Sequence, residues 1–209
     1  MAKKNKLLFS DERMSQVEDV VLRCFFPEGK EITINEIMER AEYSYERVNT
    51  ALKRLEDKKI VSSKRVGKTL LYRADYNSLY LNLAFHRFMT RRLIDFANKH
   101  QIIYNALKDI EEEPLDVVIL FGSYSRGGET KNSDIDLMII SEYQRKRENA
   151  IHSLKSKYGL NISPVFVKRT EFPKIKKENP GLWQDLKNYA LIFKGRDLFF
   201  YWVYQHENN

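Results

Sequence analysis

Asp134 and Asp136 stand two residues apart in a stretch that is otherwise apolar from Ile135 to Ile139. On a β-strand, residues two apart project from the same face, and aspartate is disfavoured in strands. Binding of Mg²⁺ (or Mn²⁺) explains the pair, because a hard cation takes carboxylate and triphosphate oxygens together. The pair therefore predicts a metal-assisted phosphoryl-transfer site. The alternative is a surface turn followed by an edge strand that bears solvated aspartates.

A glycine–serine turn precedes the aspartate pair. Gly122 and Ser123 follow an apolar, β-branched run over 115–121, which predicts a strand covered on both faces. Gly122 lets the backbone turn tightly and approach a ligand. If a helix starts at Ser123, its free N–H groups form an anion site suited to a triphosphate. Arg126 is interpreted either as a phosphate contact or as a solvated loop arginine.

The glycine–serine turn, the gap that follows it and the Ser133-Asp134-Ile135-Asp136-Leu137 strand resemble the DNA polymerase beta-like superfamily. Within it, the chain is most similar to minimal nucleotidyltransferases, over roughly 105–205. The resemblance implies that Gly122 and Ser123 hold an NTP and that Asp134 and Asp136 ligate Mg²⁺. It implies transfer of a nucleoside monophosphate to an acceptor hydroxyl, with release of pyrophosphate. Such proteins often pair with small helical HEPN-type partners in toxin–antitoxin modules, so a hydroxyl on such a partner is a candidate acceptor.

One departure from the family leaves two functions open. The family usually adds a third carboxylate from a later strand, but the corresponding strand over 162–167 carries no acid. Ser163 stands about where the carboxylate is expected, and Glu171 falls past the strand. We therefore expect nucleotide binding to be retained more readily than turnover. The rival interpretation is a transcription regulator whose second domain only binds nucleotide or a protein partner.

The first half of the chain has the features of a DNA reader. Between residues 47 and 73 there are nine basic and two acidic residues, a local excess that favours a polyanion as partner. The predicted order of helix, strand, two helices and hairpin resembles the winged helix-turn-helix domains of prokaryotic and archaeal transcription regulators, over roughly 11–75. Its third helix would read the major groove and its hairpin would contact phosphates of double-stranded DNA. The candidate DNA-binding residues are Tyr45, Arg47, Asn49, Lys53, Arg54, Lys64, Arg65 and Lys68. The alternative is a winged helix used for protein contacts or dimerisation.

Hydrophobic periodicity and turn residues predict the elements that must position these groups. In the first half we expect a helix over 11–26, a short strand over 31–34, a helix capped by Asn35, a helix from Ser44, and strands over 60–63 and 69–73 joined by 64–68. A helical stretch over 76–112, broken near His100, follows. In the second half we expect strands over 115–121, 134–140 and 162–168, and helices over 145–158 and 182–193. The fold class is α+β: a winged helix over 1–75, a helical connector over 76–112, and a nucleotidyltransferase domain over 113–209 with a mixed sheet and flanking helices.

Composition bounds the remaining possibilities. Cys24 is the only cysteine, so we expect no internal disulfide and a cytoplasmic protein. The longest apolar runs are too short to span a bilayer, and no secretory leader is recognised. The four histidines, at 86, 100, 152 and 206, show no ligand spacing, so no zinc site is expected. The aromatic run over 199–204 is interpreted as core, with the seam of a homodimer as the alternative.

Overall fold

The structure is a computed structural model that describes residues 14–110 and 117–205, and the backbone alone over 144–147. Four expectations therefore fall partly or wholly outside the described residues: the helix start at 11–13, the connector end at 111–112, the strand start at 115–116, and His206.

The first half is a winged helix. It contains helices α1 (Gln16–Arg23), α2 (Ile34–Ala41) and α3 (Tyr45–Asp57) and strands β1 (Ile32–Thr33), β2 (Val61–Val66) and β3 (Thr69–Ala74). The strands form an antiparallel sheet in the order β1-β3-β2. The helices bury one apolar stripe each, which in α3 consists of Val48, Ala51, Leu52 and Leu55.

Two local expectations for this half were wrong. Helix α2 is capped by Thr33 and not by Asn35, because Thr33 and Glu36 form a reciprocal capping box in which each side chain accepts from the other backbone N–H. The hairpin turn consists of Gly67 and Lys68 alone, because Val66 pairs with Thr69. Residues 64 and 65 therefore belong to β2 and not to the connecting turn.

The predicted connector is two helices, α4 (Leu79–Lys99) and α5 (Gln101–Lys108). The expected break at His100 is confirmed, since its backbone leaves the helical region with φ −132° and ψ 52°. Along α4, Leu81, Phe85, Met89 and Phe96 are buried. Helix α4 packs against α1 on one side and against the second half on the other, so it is a central core element and not a spacer.

The second half contains a four-stranded mixed sheet. Its elements are β4 (Val117–Leu120), α6 (Gly122–Arg126), β5 (Ile135–Ile140), α7 (Gln144–Tyr158), β6 (Ile162–Val167), α8 (Ile175–Glu178), α9 (Pro180–Tyr189), β7 (Leu191–Lys194) and α10 (Arg196–Phe200). A 3₁₀ turn over Phe172–Lys174 precedes α8, and a π-helical turn over Tyr201–Gln205 follows α10. The strand order is β6-β5-β4-β7. Strand β4 is antiparallel to β5 and β7, whereas β5 and β6 are parallel.

Strand β7 replaces the end of a predicted helix. The expected helix over 182–193 is instead α9, which ends where Ala190 takes up φ −55° and ψ 141°. Leu191 and Ile192 are then buried as the chain pairs with β4. Pairing at this sheet edge overrides a helical pattern that no glycine or proline interrupts.

The C-terminal aromatic run joins the two halves. Phe199, Phe200 and Tyr204 are buried, which supports the core interpretation of this run. The Phe26 ring of the winged helix lies 6.2 Å from the Phe200 ring and 5.2 Å from the Tyr204 ring, measured between centroids. The Tyr204 hydroxyl donates a hydrogen bond of 2.8 Å to the Pro27 carbonyl. One hydrophobic core therefore runs through both halves. Among the described helices, none has the length and apolar character needed to cross a membrane.

Candidate functional site

The turn after β4 places Gly122 directly against Asp136. The Phe121 N–H donates to the Asp136 carbonyl over 3.0 Å, and the chain then turns at Gly122 with φ +75° into α6. A Cβ on Gly122 would lie 2.9 Å from Cγ of Asp136 and would overlap its carboxylate oxygen Oδ2. The carboxylate thus occupies the space that only a glycine leaves open. The glycine–serine turn and Asp136 are brought together as the sequence predicted.

The two aspartates differ in exposure. Asp134 is exposed just ahead of β5, so the strand begins one residue later than expected, whereas Asp136 is half-buried within the strand. Burial and, next, the charge of Asp134 raise the pKa of Asp136 above its ordinary value, while Arg126 opposes this shift. A bound cation would relieve the repulsion between the two carboxylates. The charge distribution therefore fits one divalent cation at this pair.

Asn161 orients Asp134. Its Nδ2 donates to Oδ1 of Asp134, and its carbonyl accepts from the Ile135 N–H over 2.8 Å. Sequence reasoning missed Asn161, because its role depends on the parallel pairing of β5 with β6. That register places Ile135 opposite Ile162, and so brings the residue before β6 to the residue before β5.

Arg126 is bound within the chain, so it is not a fully solvated loop arginine. It is the last residue of α6 and forms an ion pair with Asp185 of α9. Its guanidinium carbon also lies 5.8 Å from the centroid of the Tyr189 ring. The side chain is still 48% exposed and close enough to lower the pKa of Asp136. Asp185 was not singled out from the sequence, since an ion pair between α6 and α9 has no local signal.

The loop between α6 and β5 is held at both ends. At the first end, the Ser125 hydroxyl donates to the Gly122 carbonyl over 3.0 Å. At the second, the Thr130 N–H donates to the Ser133 hydroxyl over 2.8 Å, immediately before Asp134. Between them, Glu129 lies 3.2 Å from Nε2 of His100 at the α4–α5 break. These contacts fix the spacing of the turn and the aspartate pair.

Ser163 lies beside Asp136 in the sheet. In the parallel pairing of β5 with β6, Asp136 lies opposite Ser163, which is exposed. Glu171 lies beyond β6, where its carboxylate accepts from the Lys168 N–H over 3.1 Å. Among the described residues, no group of three or more His, Cys, Asp or Glu side chains could hold a metal ion. The described site therefore offers two acidic ligands, not three.

The candidate DNA-binding residues lie on α3 and the β2–β3 hairpin, mostly exposed. On α3, Tyr45, Arg47, Lys53 and Arg54 are exposed, whereas Asn49 is half-buried. The Arg47 guanidinium carbon lies 4.2 Å from the centroid of the Tyr43 ring, which holds it on the helix surface. The third helix thus carries three exposed cations.

The hairpin residues Lys64, Arg65 and Lys68 are all exposed. Lys64 and Arg65 are neighbours within β2. Because consecutive strand residues point to opposite faces, their side chains leave the hairpin on its two faces. Lys68, in the two-residue turn, is the cation at the hairpin tip.

Comparison with known proteins assigns both halves. A model of the penicillinase repressor family matches residues 14–112, and a nucleotidyltransferase domain model matches residues 101–192. Two proteins of Methanocaldococcus jannaschii, both named "Putative protein adenylyltransferase", are similar to the second half. The first is 36% identical over 90 residues, which is 39% of this chain and 60% of that relative. The second is 38% identical over 79 residues, 34% of this chain and 80% of that relative. The chain thus spans less than two thirds of the first relative's length. No solved structure matches this chain.

Proposed function

Since this chain belongs to the nucleotidyltransferase domain family, we propose that it transfers a nucleoside monophosphate from an NTP to an acceptor hydroxyl. The site is the turn at Gly122 and Ser123 together with Asp134 and Asp136. The observation that carries the proposal is the close approach of the Asp136 carboxylate to Gly122, which leaves no room for a Cβ. Gly122 has no side chain at the point where the proposed phosphate-binding turn contacts the proposed metal-binding carboxylate of Asp136.

Different groups of the chain would bind the phosphates and the cation. Backbone N–H groups at Gly122 and Ser123 would bind phosphate oxygens, and Asp134 and Asp136 would hold Mg²⁺ or Mn²⁺. When bound, the cation supplies charge neutralisation of the triphosphate. A bond forms between the acceptor oxygen and the α-phosphorus, the bond from that phosphorus to the bridging oxygen breaks, and pyrophosphate leaves. The acceptor hydroxyl loses its proton in the process.

The relatives' names support one choice of donor and acceptor. Both are named as protein adenylyltransferases, which supports ATP as the donor and a protein hydroxyl as the acceptor. A small helical protein of HEPN type, encoded together with this chain as a toxin–antitoxin pair, is the acceptor we propose. The winged helix would then bring the pair to double-stranded DNA and regulate transcription there.

A second candidate function rests on Ser163. Because Ser163 stands opposite Asp136 where a third carboxylate is expected, the site lacks a ligand for the metal that activates an acceptor hydroxyl. The alternative is a DNA-binding regulator whose second half binds a nucleotide without transferring it.

A labelled-nucleotide assay separates the two functions. ATP labelled at the α-phosphate is incubated with the chain, candidate partner proteins and Mg²⁺ or Mn²⁺, and transfer of label to protein is measured. We expect transfer by the wild type and none by Asp134→Asn/Asp136→Asn. Glu178→Gln, an exposed acid on α8, is the control and should transfer label normally. Nucleotide binding without transfer supports the regulator, and absence of both refutes both functions.

A further inference from the structure

A cleft of about 700 Å³ lies between the winged helix and α4, outside the site described above. It is lined from α1, from the end of α2 and the residues after it, and from the middle of α4. Its volume falls within the range of small-molecule sites, roughly 300–1,000 Å³. Four arginines line it: Arg23, Arg40, Arg91 and Arg92.

Two of the four arginines are paired with acids of the chain. Arg23 pairs with Asp19 over 3.3 Å, and Arg40 pairs with Glu28 over 2.7 Å. Arg91, by contrast, is exposed and forms no ion pair with any residue that the structure describes.

Two acids, Glu42 and Asp95, also line the cleft, and neither forms an ion pair within the described parts of the chain. Because Asp19 and Glu28 neutralise Arg23 and Arg40, the remaining charges of the lining, Arg91 and Arg92 against Glu42 and Asp95, balance. A guanidinium with free donors binds phosphate in a two-bond geometry, so Arg91 is the group of the cleft that suits an anion.

Aromatic side chains stand beside the arginines. Tyr43 and Phe88 line the cleft and are half-buried. Aromatic rings stack on nucleobases, with roughly 1–3 kcal/mol per base in single-stranded nucleic-acid sites. An anion-binding arginine and two aromatic rings in one small cleft match a ligand that carries both phosphate and a flat ring.

The cleft adjoins both functional surfaces. The Tyr43 ring also contacts Arg47 of α3, the helix proposed to read DNA, with 4.2 Å between the guanidinium carbon and the ring centroid. Arg92 donates to the Tyr189 and Ala190 carbonyls at the end of α9, over 2.7 and 3.0 Å. Arg92 and Asp95 also line a smaller cavity of about 260 Å³ beside α6. A ligand in the cleft would therefore touch residues that contact the DNA-reading helix and the nucleotidyltransferase half.

We propose that this cleft is a second nucleotide-binding site, which takes a nucleoside phosphate through Arg91 and the rings of Tyr43 and Phe88. The site needs no metal, because Arg91 contacts the phosphate directly. It is also independent of the transfer reaction, since none of these three residues belongs to the turn or to the aspartate pair.

The test removes the first site and then probes the cleft. ATP is titrated calorimetrically into full-length Asp134→Asn/Asp136→Asn in EDTA, where a metal-dependent site cannot hold nucleotide. We expect one ATP bound per chain. Adding Arg91→Glu should weaken binding roughly tenfold or more, because a charge-assisted contact is replaced by repulsion. Asp95→Asn should tighten binding, because it removes a carboxylate from the lining.

Lys108→Glu is the matched control, since it makes the same charge change at an exposed position on α5 outside the cleft. It should bind ATP as tightly as the background variant. The proposal is overturned if the background variant binds no ATP in EDTA, or if Arg91→Glu and Lys108→Glu bind it equally. Failure of label transfer by the wild type would refute the transferase and leave this result unaffected.

Discussion

At the residue scale, Gly122 and Asp136 are so close that the turn has no room for a side chain. Gly122→Ala should abolish nucleotide binding at the site, because its Cβ would displace the Asp136 carboxylate. A left-handed backbone at a non-glycine residue also costs about 1–3 kcal/mol. Thermal unfolding and Mg²⁺-dependent ATP binding measure the two effects.

Gly127→Ala separates the effect of backbone strain from the effect of overlap between the new Cβ and Asp136. Gly127 has almost the same backbone angle, φ +73°, but nothing lies within 4 Å of a Cβ built on it. We expect a similar loss of stability in both variants and a loss of nucleotide binding only in Gly122→Ala. Equal binding by the two variants would contradict the site geometry.

The pKa of Asp136 makes a prediction about stability and pH. Because burial and Asp134 raise the pKa of the folded carboxyl above 3.8, the folded state holds the proton more tightly than the unfolded state. The free energy of unfolding therefore falls as pH rises from below 3.8 through the folded pKa. In metal-free buffer at neutral pH, Asp136→Asn should unfold at a higher temperature than the wild type, and the difference should vanish in acid.

Asp109 supplies a control of opposite sign. Hydrogen bonds from Tyr158 and then Lys157 lower the pKa of Asp109, so Asp109→Asn should lower the unfolding temperature at neutral pH. Added Mg²⁺ should stabilise the wild type at neutral pH, but neither Asp136→Asn nor the wild type in acid. A wild type as stable as Asp136→Asn at neutral pH would show that neither burial nor the charge of Asp134 destabilises the Asp136 carboxylate.

Ser163 offers a gain-of-function test. Because it lies opposite Asp136 in the β5–β6 pairing and is exposed, Ser163→Asp should supply the third carboxylate oxygen set for a second cation. We expect tighter Mn²⁺ binding and a faster transfer of label than in the wild type. Ser163→Asn introduces a side chain of nearly equal size without charge, and should change neither the Mn²⁺ affinity nor the rate of transfer. Unchanged Mn²⁺ affinity in Ser163→Asp would place the metal site elsewhere.

At the element scale, the recognition helix α3 should dominate DNA affinity. Arg47→Ala/Arg54→Ala removes two exposed cations from one helix, so binding to duplex DNA should weaken. The slope of log K against log salt should fall by about one for each DNA phosphate that the variant no longer neutralises. Fluorescence anisotropy at several salt concentrations measures both quantities.

Lys174→Ala/Lys177→Ala removes the same charge from exposed positions around α8. If α3 reads DNA, this control should keep nearly the full affinity and slope. Equal losses in both variants would mean that the chain attracts DNA only through its net charge of +7.

The elements also show how much of the fold and of the site could be predicted from the sequence alone. The turn at Gly122 and the Asp136 carboxylate were predictable, because a strand, a tight turn and a second strand are contiguous in sequence. Strand β7 was not, because its pairing with β4 is long-range and its residues continue a helical pattern without a break. The Thr33 cap was readable from the Thr33 and Glu36 spacing, whereas the contacts of Asn161 and Asp185 depend on packing between distant elements.

At the scale of the whole molecule, the expected division at residues 75 and 112 does not divide the core. Helix α4 packs against both halves, and the Phe26 ring contacts the C-terminal aromatic run. Both boundaries therefore fall within one hydrophobic core, and we propose that the three segments fold as one unit.

This shared core predicts a single unfolding transition. Phe200 is fully buried against Phe26 and Phe85, so Phe200→Ala should cost about 3–5 kcal/mol and destabilise both halves together. Tyr201→Ala, in the adjacent and half-exposed position, should cost far less. Urea unfolding followed by hydrogen exchange in α3 and in β5 tests this. If β5 lost protection in Phe200→Ala while α3 kept it, the halves would unfold separately and the shared core would not couple their folding.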